Sequence, residues 1–304
     1  MNQKKHREYW QKRTEELMLY ADRKDIDFFK RLEELYGEFA KEIQKEIFEF
    51  YAKYAKDNKI SLREAKKRLR GEDLSDYQQR ANEYFKTKNP ELLDRLNEQY
   101  SSAKVTRLET LNLDLTYQTG LLQVSVAVAF DTYLKQLASH SYRKIMGGRS
   151  YSTLNKPALE QLVKTPFDGY NYSQQIWGNV DNLAERIRKT FEEGFVKGLH
   201  PREMARNLRK DTDVQRHRAE TLIRTDGSMV INNATLKRYN DAGLKYVRIH
   251  VHMDERTSDI CTEINRQDKL YNLADEIKNP TLPAHYNCRS TYIPDEEELD
   301  TPVT

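Results

Sequence analysis

The stretch FKRLEELYGEFAKEIQKEIFEFYAKY, residues 29–54, decides the fold class of the N-terminal half. Its large apolar side chains recur about every 3.6 positions, the repeat of an α-helix, and Glu and Lys fill most of the intervening positions. The pattern predicts one long amphipathic helix. The apolar stripe of this helix is too large to be left exposed to solvent. We therefore predict that part of it packs within the chain and part forms a partner surface. The residues of this predicted surface are Phe29, Tyr36, Phe39, Ile43 and Phe50.

The composition extends the helical interpretation to the whole chain. Among the 304 residues are only 11 glycines and 8 prolines, whereas 33% are charged. A β-sandwich needs more turn residues than this, and the 19 tyrosines and 10 phenylalanines supply enough large groups to exclude global disorder. The predicted fold class is mainly α, with long helices in an N-terminal region and an α-rich C-terminal domain that ends in a small β-containing, loop-rich lobe.

Shifts in composition predict where the chain divides. Residues 1–145 form a helical N-terminal region, and the glycines and prolines between residues 146 and 178 mark a linker. Residues 179–294 form the C-terminal domain, and residues 295–304 form an acidic tail.

Inside the predicted C-terminal domain the pattern changes from helical to alternating. Two helices are expected over residues 201–210 and 214–242, the second closed by Gly243. Residues 245–252 then alternate between apolar and polar side chains and predict a strand, with a second short strand at residues 290–293.

The chain lacks the signals of a membrane or secreted protein. Its most apolar run, residues 121–130, has half the length that a membrane-spanning helix needs, and the first residues contain no apolar signal segment. Two cysteines do not make a disulfide framework. We therefore expect no membrane span, and synthesis in a reducing cytoplasm.

Charge is nearly balanced, with 51 basic and 48 acidic residues, so net charge by itself predicts no nucleic-acid partner. Residues 59–70 depart from this balance, because Glu64 is their only acidic member. A solvated helix face is one explanation, and weak, sequence-independent contact with DNA phosphates is the other. The residues predicted to make that contact are Arg63, Lys66, Lys67, Arg68 and Arg70.

The chain contains none of the common phosphate-binding, nucleophile-elbow or zinc-protease motifs. Chemistry-bearing residues concentrate near the C-terminus, where Cys261, His285 and Cys288 are soft or borderline metal ligands. His285 and Cys288 have the spacing of a metal-binding knuckle, and His252 or Asp254 would complete four ligands around zinc.

Zinc is one of three explanations for this cluster. A strong zinc pattern would have two paired Cys-x-x-Cys units, which this chain lacks, so the favoured hypothesis is a metal-free structural clasp of two loops; a disulfide is the third. Ion pairs of Asp254 with Arg256 or Arg289 would brace the clasp, and an ion pair from Arg224 would tie the preceding helix to the lobe. The predicted clasp comprises Arg224, Asp254, Arg256, Cys261, His285, Cys288 and Arg289. No cofactor is predicted, with zinc at Cys261, His285, Cys288 and His252 as the alternative.

An enzymatic alternative uses neighbouring residues. His250 and His252 lie two positions apart, on one face of the predicted strand, and Asp254 follows directly. Together with the Cys/His cluster they would suit a metal-dependent nuclease or a toxin-like enzyme. The plainer explanation is that they are ordinary, partly exposed side chains.

The order of several short motifs resembles a known family. Arg224-Thr225-Asp226 is followed by Asn233, Tyr239 and Gly243, then by the strand and Asp254, and finally by the Cys/His cluster. This order, from about residue 180 to residue 293, is similar to that of phage minor head proteins of the SPP1 gp7 and Mu F-like head morphogenesis family.

The resemblance implies a non-enzymatic minor capsid protein of a tailed phage. Such a protein is made in the host cytoplasm, enters the virion during head assembly and lies in the capsid interior. The implied partners are the portal protein, the scaffold or major capsid protein, and packaged double-stranded DNA bound without sequence preference. A metal-dependent nuclease or toxin-like enzyme, and a non-specific DNA-binding module, stay open as alternatives.

Overall fold

The computed structural model describes residues 3–56, 79–102, 107–146, 153–197, 201–274 and 281–295. Its helices are α1 (Gln3–Lys56), α2 (Pro90–Ser102), α3 (Arg107–Lys144), α4 (Lys156–Val163), α5 (Tyr172–Lys197), α6 (Pro201–Asp241) and α7 (Asp259–Gln267), with a further helical turn over residues 79–84. Its strands are β1 (Tyr246–His250), β2 (Leu270–Asn272) and β3 (Thr291–Pro294). The predicted fold class, mainly α with a small β-containing lobe near the C-terminus, is confirmed.

The helices are longer than the sequence pattern predicts. Helix α1 has 54 residues and contains the whole of the stretch 29–54. The two helices expected over residues 201–210 and 214–242 are one helix of 41 residues, α6. The reason is that the intervening residues include neither glycine nor proline, so nothing interrupts the backbone hydrogen bonds.

Proximity of Cα atoms divides the chain into two compact units that are not continuous in sequence. The first unit contains residues 1–30, 128–172 and 219–304, and the second contains residues 31–127 and 173–218. Helices α1, α3 and α6 therefore contribute long segments to both units. The sequence-based division at residues 145 and 178 stays a prediction about domain organisation.

The second unit encloses a hydrophobic cluster and a buried ionic network. Leu92 and Leu96 of α2 pack with Leu113 of α3 in the cluster. Beside it, the guanidinium of Arg80 donates hydrogen bonds to Glu46 (2.7 Å) and to Asp114 (2.8 Å). Burial, and after it the neighbouring charge of Glu46, raises the pKa of Asp114 to about 7. The guanidinium of Arg80 opposes this rise and stabilises the charged carboxylate of Asp114.

The first unit joins the start of the chain to its end. Near the start of α1, Trp10 makes an edge-to-face contact with Tyr239 of α6, with 5.6 Å between the ring centroids. Further along α1, Phe28 packs against Phe130 of α3 at 5.1 Å. These contacts are non-local, which is why a stripe on α1 does not reveal them in the sequence.

The terminal lobe is a three-stranded antiparallel sheet in the order β2-β1-β3. Gly243, with φ of +77°, ends the long helix before β1, as predicted. Both predicted strands exist, whereas β2 was not predicted because its three residues are too few for an alternating pattern. Arg248 lies opposite Leu270 on one side and Ile293 on the other.

The buried amide of Asn232 attaches this sheet to α6. Its nitrogen donates to the carbonyl of Ser290 (3.0 Å) and its oxygen accepts from the backbone N–H of Tyr292 (3.3 Å).

Across the part of the chain that the structure describes, no helix has the length and apolar character needed to cross a membrane.

Candidate functional site

The first side chain of the candidate site stands at the start of α7. Ser258 is the N-cap of this helix, and its hydroxyl oxygen accepts a hydrogen bond from the backbone N–H of Cys261 (3.2 Å). The cap fixes the first turn of α7 and therefore the direction of the Cys261 side chain, which is buried.

The loop over residues 281–290 brings the other side chains of the site. The backbone N–H of Asn287, which has φ of +59°, donates to the hydroxyl of Thr225 on α6 (3.0 Å). The N–H of Cys288 donates to the carbonyl of His285 (3.2 Å) in a tight turn. The first of these bonds attaches the loop to α6, and the second fixes the turn that carries His285 and Cys288.

The structure brings the three predicted ligand residues together. The Sγ atoms of Cys261 and Cys288 and a ring nitrogen of His285 lie within 4.8 Å of one another. The two sulfurs are 3.8 Å apart, and Cys261 Sγ is 3.1 Å from His285 Nε2. Both thiols are free in this geometry, because a disulfide needs about 2.05 Å between its sulfurs.

The hydrogen bonds of His285 determine which of its two ring nitrogens carries the proton. Nδ1 lies 2.7 Å from the carbonyl oxygen of Tyr286. A carbonyl only accepts, so this contact assigns the proton to Nδ1 and leaves Nε2 with a lone pair. Nε2 accepts from the hydroxyl of Ser258 at 2.8 Å.

The two thiols have different acidities. The hydrogen bond shared with Cys261, opposed by burial and aided by the backbone of Ser290 and Ala284, lowers the pKa of Cys288. The same shared hydrogen bond, followed by burial, raises the pKa of Cys261. Cys288 is therefore the more acidic of the two thiols.

An ion pair lies beside the cluster. Arg289 donates to the carboxylate of Asp254 at 2.5 Å, and Arg256 reaches the same carboxylate at 3.6 Å. The hydrogen bond from Arg289, together with that from the backbone N–H of Arg256, lowers the pKa of Asp254. The side chains of Asp254 and Arg289 are 29% and 22% exposed, so the pair is partly shielded from solvent at the surface of the lobe.

The cluster borders a cleft of about 570 Å³ within the first unit. Helix α1 forms one wall through Asp25, Ile26 and Phe29, and the loop with His285 and Cys288 forms another. The cleft gives solvent and small ions a path to the half-buried imidazole of His285.

Residues 185–293, roughly a third of the chain, match the family model of Phage Mu protein F like proteins. The chain carries a Mu F-like domain. No similar protein was found among curated proteins, and no similar structure was found among solved structures. The family resemblance noted in the sequence is confirmed for residues 185–293.

Arg224 of the Mu F-like domain has a different partner from the one predicted. Its guanidinium lies 3.9 Å from the carboxylate of Asp25 and 4.6 Å from the ring centroid of Phe29, both on α1. It lines the same cleft as Arg256 and Arg289, but the carboxylate of Asp254 is bound by those two arginines. Arg224 therefore links α6 to α1 rather than to the lobe.

The histidines of the enzymatic alternative lie apart from the Cys/His cluster. His250 contacts α1, with its ring nitrogens 3.4 Å from the amide of Gln11 and 3.6 Å from the carboxylate of Glu15, and burial lowers its pKa. His252 is exposed. Within the described residues, the group with metal-ligand spacing is Cys261, His285 and Cys288, and it includes neither of these two histidines nor Asp254. The prediction that His252 supplies a fourth zinc ligand is therefore wrong for this structure.

Burial corrects part of the predicted partner surface. Tyr36, Phe39 and Ile43 are buried within the chain, with 3%, 4% and 1% of their surface exposed, and therefore belong to the core. Phe29 and Phe50 are half-buried. The residues predicted to contact DNA, Arg63, Lys66, Lys67, Arg68 and Arg70, lie outside the described residues.

The sequence analysis assigned no role to two buried carboxylates, Asp25 and Asp226. Asp25 pairs with Arg224 and accepts a hydrogen bond from Tyr133; burial raises its pKa to about 6. Asp226 is buried without a hydrogen-bond partner among the described residues. The apolar stripe of α1 gives no signal for Asp25, whereas Asp226 stands inside the motif that carries the family resemblance.

Proposed function

We propose that this protein is a phage head protein, namely a non-enzymatic minor head protein that enters the virion during head assembly and lies in the capsid interior. The observation that carries the proposal is the match of residues 185–293 to the Mu F-like family. The proposed partners are the portal protein, the scaffold or major capsid protein, and packaged double-stranded DNA.

The exposed apolar side chains of α1 support a docking role for this helix. Leu19 and Ile26 are 54% and 56% exposed, and they stand seven positions apart, on one side of the helix. Phe29 follows three positions after Ile26 on the same side. Since Tyr36, Phe39 and Ile43 belong to the core, this earlier part of α1 is the proposed portal-facing surface.

Assembly in the presence of the portal tests the proposal. The chain is co-expressed with the portal, scaffold and major capsid proteins of its phage, and purified heads are analysed for its presence. We expect a low copy number in heads that contain portal and loss of the chain from heads assembled without it. Heads that contain portal but never the chain would refute the proposal.

A pair of variants tests the surface. Leu19→Ser with Ile26→Ser should reduce incorporation, because it removes the exposed apolar pair from α1. Leu121→Ser with Val128→Ser is the matched control on α3, since this pair is also exposed and also seven positions apart. Equal incorporation of both double variants would place the docking surface elsewhere.

DNA contact is tested by its salt dependence. Replacing Arg63, Lys66, Lys67, Arg68 and Arg70 with Gln should flatten the slope of log affinity against log salt, by about 0.9 for each phosphate that the variant no longer neutralises. An unchanged slope in the variant would mean that residues 59–70 make no DNA contact and are only a solvated helix face. Cleavage of DNA by the purified chain with Zn²⁺ or Mg²⁺ would instead favour the nuclease alternative.

A further inference from the structure

We propose that Cys261, His285 and Cys288 bind one divalent cation of the zinc class. The proposal rests on the geometry of the cluster and does not depend on the proposed role in head assembly. It replaces the metal-free clasp that the sequence favours, because the sequence shows ligand spacing along the chain but not the arrangement of the ligand atoms.

The distance between the sulfurs is the first observation. Two thiolates on a tetrahedral zinc ion, each about 2.3 Å from the metal, are separated by about 3.8 Å. The sulfurs of Cys261 and Cys288 are 3.8 Å apart. The distance from Cys261 Sγ to His285 Nε2 is 3.1 Å, and it would open to about 3.6 Å around the ion.

The orientation of the imidazole is the second, independent observation. A metal-bound histidine typically donates its other ring N–H to a carbonyl or carboxylate, which fixes the tautomer and the ring plane. His285 makes this contact from Nδ1 to the carbonyl of Tyr286. Nε2 therefore carries the lone pair and lies 3.1 Å from Cys261 Sγ, and binding would exchange its hydrogen bond from Ser258 for a bond to the ion.

Charge and burial favour the same class of ion. Two thiolates neutralise the charge of a divalent cation, so the complex is neutral in a place where both cysteines are buried. Sulfur ligands with one imidazole select Zn²⁺ over Mg²⁺ or Ca²⁺, which prefer oxygen. The described residues supply three ligands, and water from the cleft beside His285 supplies the fourth.

The ion would act as a cross-link within the Mu F-like domain. Cys261 lies in the first turn of α7, whereas Cys288 lies three residues before β3 begins. A bond from each to one ion joins the helix to the loop and to the edge of the sheet.

Cobalt titration of the full reduced chain tests the site. With a thiol-free reductant present, we expect one Co²⁺ per chain, a near-ultraviolet sulfur-to-cobalt band and the visible absorption of a tetrahedral complex, all removed by added Zn²⁺. Cys261→Ser and Cys288→Ser should each lose the two-thiolate band, and His285→Ala should weaken binding at least about tenfold. His252→Ala is the matched control and should bind as the wild type does.

Stability supplies a second measurement. Zn²⁺ should raise the urea midpoint of the wild type and leave that of Cys288→Ser unchanged, since a ligand that binds only the folded state stabilises it. Folded, reduced wild-type protein that gives no sulfur-to-cobalt band would overturn the proposal even if every variant failed to fold. A full band in Cys288→Ser, or its loss in His252→Ala, would do the same.

Discussion

Replacing Asp226 with asparagine should change how stability depends on pH. Asp226 is only 1% exposed, and neither carboxylate oxygen has a hydrogen-bond partner among the described residues. Burial raises its pKa from 3.8 to about 7. The side chain is therefore held in an environment that favours the protonated, neutral form.

The size and sign of the effect follow from this shift. A carboxyl group whose pKa is higher in the folded state binds its proton more tightly there. Its stabilising effect is complete below the unfolded pKa of 3.8 and is lost as pH rises towards the folded pKa of about 7. Three pKa units at about 1.36 kcal/mol each amount to about 4 kcal/mol, a large fraction of the free energy of unfolding of an ordinary domain.

Urea unfolding followed by circular dichroism at about pH 5, 6.5 and 8 measures the effect. We expect Asp226→Asn to be more stable than the wild type by up to about 4 kcal/mol at the highest pH, because asparagine carries no charge to desolvate. The difference should shrink steadily towards the lowest pH. Asp27→Asn is the matched control, since Asp27 is exposed on α1. A difference that stays constant with pH, or an asparagine variant that is less stable at high pH, would show that Asp226 is charged and partnered.

Three further substitutions test other contacts by urea unfolding. Asn232→Leu should cost about 3 kcal/mol, because it leaves two backbone groups beside β3 without partners; an unchanged midpoint would mean that this attachment contributes nothing. Arg80→Met should cost about 3–5 kcal/mol, because Asp114 is left buried beside a second carboxylate, and the loss should be smaller at low pH, where Asp114 is protonated. Arg289→Ala should cause a smaller loss that is present at neutral pH and disappears on acidification, because the ion pair lowers the pKa of Asp254; equal losses at all pH values would contradict the ion-pair role.

The helical class, the small β lobe and the residues of the Cys/His cluster could be predicted from the order of residues along the chain. These features are local or nearly so: the stripe on α1 has helical periodicity, the strand β1 alternates, and His285 and Cys288 stand three positions apart. The order of motifs from Arg224 to Cys288 also pointed to the Mu F-like family, because it depends only on residue identities along the chain.

The contacts between residues that are far apart in the sequence could be established from the folded structure alone. The pairing of Arg224 with Asp25, the burial of Ile43 and the isolation of Asp226 depend on which helix faces which, and side-chain periodicity on one helix does not specify its neighbour. The residue types of the Cys/His cluster could be identified in the sequence. The distance of 3.8 Å between its sulfurs and the orientation of His285 could not, because they arise from the packing of the terminal loop against α6 and α7.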